Sequence, residues 1–147
     1  MRIAAKARYG LATMIYFAMH YPSQTKFTVL EVSGTLKISK IYLEQVFTQL
    51  RLAGIVQATK GPQGGYSLTR EPSEITAYDV LAATETSLFD PTPATVSEGA
   101  PHIEGVMNDS VYSVLDQVVR DSLSSITLAQ LAEKAIQNST TGYMYYL

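Results

Sequence analysis

The chain has 147 residues, 46% hydrophobic and 16% charged, enough for one domain with a single core plus an appended element. It contains no cysteine, which excludes disulfides, thiolate-held metals or iron–sulfur clusters, and thiol redox sensing. The net charge of −2 conceals a polarity: residues 1–70 carry nine bases against two acids, and residues 71–147 carry two bases against eleven acids, so the front half suits a polyanion and the back half does not.

The basic start, Arg2, Lys6 and Arg8, runs directly into a helical pattern with no small-residue cleavage site behind it, which reads as a mature cytoplasmic N-terminus. The apolar run "GLATMIYFAM" is about half of what a bilayer span needs, so no membrane segment is expected. Leu11, Met14, Ile15 and Ala18 follow helical spacing and predict an amphipathic helix over 5–20, ended by Pro22. Thr28-Val29-Leu30-Glu31 has the spacing of a capping box and predicts a short second helix, with Gly34 as its limit. "LKIS" is the connection, and Ser39 caps a third helix whose Leu43, Val46, Phe47 and Leu50 form an apolar stripe, with Gly54 as its C′ residue. Two short helices joined by a tight turn, the second carrying Lys40 and Tyr42 in its exposed first turn, make a helix-turn-helix pattern.

The period then changes from 3.6 to 2. "GIVQAT" and "GYSLT" read as strands flanking "KGPQG", a wing hairpin appended to the helix-turn-helix. Thr76 to Asp79 repeats the capping-box spacing and launches "AYDVLAATE". Residues 86–107 hold three prolines, two glycines and no sustained period, and are expected to be a loop or hinge. Val111, Val114, Leu115, Val118 and Val119 then define the apolar face of a helix of about four turns. A last helix opens at Thr127 and is expected to reach about Gln137, followed by "NSTTGYMYYL", a flexible aromatic tail. The resulting division is 1–85 winged helix-turn-helix, 86–107 hinge, 108–137 C-terminal helices and 138–147 tail. The fold class is mostly α with a small β-hairpin.

"TKGPQGGYSL", Thr59 to Leu68, does not fit a nucleotide loop: the lysine precedes the glycines, and no helix follows. It fits a turn in which Gly64 and Gly65 allow positive φ and Pro62 fixes the bend. A wing tip that offers Lys60 and Gln63 to a minor groove or to phosphate accounts for the polar residues as well. An enzyme is disfavoured, because no cysteine, only two histidines in unrelated segments and no paired acids supply a nucleophile with its base.

The segment "YLEQVFTQLRLAGIVQATKGPQGGYSLTREPSEITAYDVL", the opening "AAKARYGLATM" and the closing "ITLAQLAEKA" together resemble the Rrf-two family of bacterial transcription regulators over nearly the whole chain, most weakly over 86–110. The resemblance implies a homodimeric winged-helix regulator, a repressor or an activator, binding double-stranded operator DNA. The long C-terminal helix would form the dimer contact through Val111, Val114, Leu115, Val118 and Val119. Ser39, Ile41, Tyr42 and Glu44 fall at the family's base-reading and backbone-contacting positions, and a glutamate there can accept from a cytosine amino group. Arg2, Lys6, Arg8 and Tyr9 are expected to hold phosphates. Thr28, Lys40, Gln45, Gly61, Gln63, Gly64 and Tyr66 complete the expected DNA-facing set, each weighed against a solvated surface role. Lys60 stands where many members have arginine, which keeps the charge and loses the planar fork.

Sensing members of the family use three cysteines with a histidine or aspartate. None of the cysteines is here, and Asp109 aligns with the fourth-ligand position. Asp90, Glu98, His102, Glu104 and Asp109 could offer hard ligands, but solvated loop residues are the simpler account, and no metal or cofactor is assigned. The tail Tyr143, Met144, Tyr145, Tyr146 and Leu147 resembles the aromatic end of the CymR branch, whose members act with a cysteine-biosynthesis enzyme, O-acetylserine sulfhydrylase. Leu147 departs from the terminal isoleucine which that enzyme captures. The rival expectation is therefore a protein-interaction module working through this tail, with packing back on the dimer as the plain alternative.

Overall fold

The computed structural model describes residues 1–145, with side chains to Ser139. Helix α1 spans Ala5–His20 and buries Ala7, Gly10, Thr13, Met14, Phe17 and Ala18 along one face. Gly10 is needed there, because a Cβ would come within 2.9 Å of Thr84 Cγ2 on a later helix. Helix α2, Val29–Leu36, opens with the anticipated capping box: the Thr28 hydroxyl accepts from the Glu31 amide at 3.1 Å, and the Glu31 carboxylate accepts from the Thr28 amide at 3.3 Å. Gly34 does not stop it. The chain leaves the helix at Lys37, which takes a left-handed φ of 58° while its amide donates to Ser33 O. The Ser33 hydroxyl then donates to Ile38 O at 2.7 Å, so side-chain and backbone bonds close the turn and the glycine only lowers helix propensity.

Helix α3, Lys40–Leu52, is capped by Ser39, whose hydroxyl accepts from the Tyr42 amide. Its stripe of Leu43, Val46, Phe47 and Leu50 is fully buried. Gly54 adopts φ 77°, in the region expected of a C′ glycine. Strands β1, Val56–Thr59, and β2, Gly65–Leu68, pair antiparallel with Val56 opposite Leu68 and Thr59 opposite Gly65. A bridge that periodicity does not reveal joins Phe27 to Tyr66 through amide-to-carbonyl bonds of 2.9 and 2.8 Å. It ties the segment ahead of α2 to the hairpin. Phe17 stacks on Phe27, and Phe47 lies parallel to Tyr66, both at 4.3 Å between ring centroids. Helix α4, Ala77–Thr84, starts with the second capping box and buries Ala77, Val80, Leu81 and Thr84.

Two expectations for the C-terminal half are corrected. The segment 86–107 is not loop throughout: Thr86–Phe89 is a 3-10 turn, and helix α5 runs Pro101–Met107. Proline at the first position of α5 loses nothing, since that amide has no intrahelical partner. A π-helical turn, Asn108–Tyr112, carries the chain without a break into helix α6, Ser113–Ser124, so only 90–100 is irregular. Nor does the last helix stop near Gln137. Helix α7 spans Leu128–Tyr145, so the backbone of Asn138 to Tyr145 is helical rather than a flexible linker. The side chains of Tyr143, Met144 and Tyr145, and all of Tyr146 and Leu147, lie outside what is described.

Helix α7 packs along α1, with Leu128 and Ala132 buried in the common core. The α6–α7 corner is fastened to the start of α4, where the Ala77 amide donates to Ile126 O and the Leu128 amide to Ile75 O, each at 2.8 Å. Among the described residues no helix is long and apolar enough to cross a membrane.

Candidate nucleic-acid interface

The N-terminal ends of α2 and α3 lie at the surface, where the helix dipole favours anions. Thr28 and Ser39 are exposed, with their oxygens committed to caps and their hydroxyl protons left for a phosphate oxygen. Beside them Ile41 is 71% exposed, an apolar side chain kept out of the core on a helix whose opposite face is fully buried. Such a group suits a thymine methyl. Lys40 Nζ lies 4.0 Å from Glu44 Oε1, both side chains 55% exposed. A pair of this kind is worth only ~0.3–0.5 kcal/mol and exchanges readily for contacts to DNA. Gln45 is exposed, while Tyr42 is half-buried, its ring edge-on to Tyr9 at 5.0 Å, so α1 braces α3.

At the wing Lys60, Gly61 and Gln63 are exposed. The tip is a turn in which the Gly64 amide donates to Gly61 O at 3.0 Å. Of the two glycines expected to take positive φ, Gly65 does and Gly64 does not. Positive φ falls at Gly61 and Gly65, not at Gly64, where instead a Cβ would collide with the Thr59 carbonyl oxygen. Gly65 has φ 148°, and a Cβ there would sit 2.7 Å from Phe27 O, so the hairpin closes against the bridge strand only without a side chain. Tyr66 belongs to the wing's seat: its ring is stacked on buried Phe47, which spends the aromatic face inside the protein.

At the start of α1, Arg2 and Arg8 are exposed and Lys6 is half-buried, and Arg8 Nε donates to Ile3 O at 3.2 Å. Sequence reasoning missed Glu85. Its carboxylate accepts from the Ala4 amide at 3.0 Å and places a negative charge at the mouth of α1; only the folded chain brings residues 81 positions apart together. Arg70 is engaged across the fold, by Asp79 and the Glu74 carbonyl.

On α6 and the π turn before it, Val111, Val114, Leu115 and Val118 are each more than half exposed. Ile103 at 49% and Val106 at 64% extend this apolar surface back onto α5, which a loop assignment concealed. Val119 is half-buried, and with Val118 it lines a cavity of ≈ 390 Å³ together with Ile3, Leu81 and Leu88.

Residues 3–134 match the family model Rrf2, described as "Iron-dependent Transcriptional regulator". The chain belongs to the Rrf2 family. The HTH-type transcriptional regulator IscR of Serratia proteamaculans is 33% identical over 131 residues, covering 89% of this chain and 79% of that protein. Among solved structures, CymR of B. subtilis, titled its global cysteine regulator, superposes with a TM-score of 0.73 at 30% identity, covering 91% of this chain and 98% of that one. T. potens IscR follows with a TM-score of 0.69 at 29% identity, over 92% and 88% of the two chains. This Rrf2 chain is accordingly a winged-helix transcription regulator and not a member of an enzyme family.

The iron of the Rrf2 description finds a poor donor set here. There is no thiolate in the chain, and soft clusters require one. Among the described residues no three His, Asp or Glu side chains come together as a metal site. Glu104, one of the hard candidates, accepts instead from the amides of Thr95 at 2.7 Å and Val96 at 3.1 Å. The carboxylate thereby fastens the irregular segment to α5. Asp90, Glu98, His102 and Asp109 are all exposed.

Proposed function

We propose that the protein is a cytoplasmic, homodimeric repressor that binds a pseudo-palindromic operator and works without an iron–sulfur cluster. The observation that carries this reading is the juxtaposition, on one winged-helix unit, of the exposed Lys40–Ile41–Glu44 turn of α3 and the exposed Lys60 wing tip. A helix in the major groove and a cation beside it on the minor groove or phosphate use these surfaces in the way such folds engage DNA. Residues 1–85 would be the DNA-binding unit and 86–107 the segment linking it to the dimerisation helices over 108–137.

The unpartnered apolar face of Val111, Val114, Leu115 and Val118 supports the dimer, since a second copy would remove it from water. Two-fold symmetry then places the two recognition helices about 34 Å apart, or a multiple of that. The absence of cysteine supports a cluster-free regulator. Footprinting the purified protein on its own upstream region tests the reading: paired protected half-sites support it, and uniform or absent protection removes it.

The rival, an interaction module acting on a cysteine-biosynthesis enzyme through Tyr143 to Leu147, is separated by Lys60→Ala combined with Glu44→Ala. Loss of promoter regulation with the dimer intact favours the operator reading. Unchanged regulation, with co-purification of the enzyme lost on deleting 143–147, favours the rival.

A further inference from the structure

Arg70 is half-buried, its side chain 36% exposed. It lies two residues beyond the end of β2, and its guanidinium works in two directions: Nε donates to the Glu74 carbonyl at 3.1 Å, and Nη2 meets Asp79 Oδ2 at 3.2 Å. That same carboxylate oxygen accepts from the Thr76 amide at 2.9 Å and so belongs to the cap of α4. One residue earlier, the Thr69 hydroxyl donates to Gly54 O at 2.6 Å and the Thr69 amide to Ile55 O at 3.0 Å, clamping the two ends of the hairpin together. The start of α4 is in turn bonded to the α6–α7 corner. The guanidinium therefore joins the wing root to the start of α4, and the C-terminal helices are bonded to that same start of α4.

We propose that Arg70 is a positioning residue for DNA binding: its forked contact to Glu74 and Asp79 sets the wing against α4 and thereby holds Lys60 where it meets the DNA. The proposal rests on the operator-binding reading above. A lysine cannot replace Arg70, because an ammonium lacks the planar fork that reaches a carbonyl and a carboxylate at once. The hairpin is also held to the body through the Phe27 bridge, the Phe47–Tyr66 stack and the core packing of Val56 and Leu68. Losing the fork frees the α4 side of the wing without opening the core.

The test is fluorescence anisotropy of a labelled duplex from the protein's own upstream region, over a range of salt, with wild type, K60A, R70K, R70A, D79N and the double variant R70A/K60A. Urea unfolding of each variant confirms that the chain folds. The expected result is that R70K, R70A and D79N each weaken binding about as much as K60A does, with the slope of log K against log salt falling by ~0.9, one phosphate contact. In the double variant the second substitution changes neither affinity nor slope further, since both remove the same contact. If Arg70 instead meets phosphate itself, R70K restores binding and the double variant loses ~1.8 in slope, which overturns the proposal. R70K and R70A that bind like wild type overturn it too, with the operator reading intact. Wild-type protein with no salt-dependent binding removes that reading and this one together.

Discussion

Lys60 and Glu44 are both exposed and charged, yet they should fail differently when removed. Lys60→Ala deletes a cation that neutralises phosphate, and its loss is expected to lower the salt slope of binding by ~0.9 and to weaken all sequences alike. Glu44→Ala removes an acceptor that can read a cytosine amino group; it should leave the slope nearly unchanged and cost about 1–3 kcal/mol of discrimination at one base pair. Anisotropy on the operator and on single-base variants of it distinguishes the two. A slope change for Glu44→Ala, or single-base selectivity lost in Lys60→Ala alone, would reverse the roles assigned. The exposure of both was legible, because Glu44 lies off the apolar stripe of α3 and Lys60 sits at a glycine-rich turn. The contacts of Glu85 and Arg70 were not, since both depend on partners that only tertiary contact brings near.

At the scale of the element, the wing is held by packing that can be weighed. Phe47 is fully buried against Phe17 and Tyr66, and Phe47→Ala is expected to cost about 3–5 kcal/mol in urea unfolding. Gly65→Ala, by contrast, should leave the core intact and loosen the hairpin, because the new Cβ meets the Phe27 backbone. Its signature would be faster amide exchange at Tyr66 and Phe27 with little change elsewhere. Helices α1 to α4 and the hairpin were legible because apolar spacing and capping boxes are local signals, and the capped starts at Thr28, Ser39 and Thr76 fall where the spacing placed them. Helix α5 was hidden because Pro101 and Gly105 read as loop punctuation, although proline at a first helical position is neutral. The length of α7 was hidden for a related reason. Its polar "NSTTG" stretch is weak helix former, and contact of the helix with α1 is not visible in a local pattern.

For the whole molecule, the charge polarity along the chain is partly mixed by the fold: Glu85 sits at the start of α1 and Asp79 meets Arg70, while the other bases of α1, α3 and the wing face solvent or are half-buried. The exposed valines and Leu115 of α6 predict the assembly. Val114→Glu with Leu115→Glu should convert a dimer to a monomer in light scattering, with the helical circular dichroism of the winged helix retained and operator affinity reduced at least about tenfold, because two half-sites are no longer linked. A dimer that survives both charges would place the interface elsewhere. The most direct measurement of the central claim is the affinity and stoichiometry of the wild-type protein on its own upstream DNA across a range of salt. Two chains per site and a steep linear fall of log K with log salt are predicted. A flat salt response, or one chain per site, would contradict it.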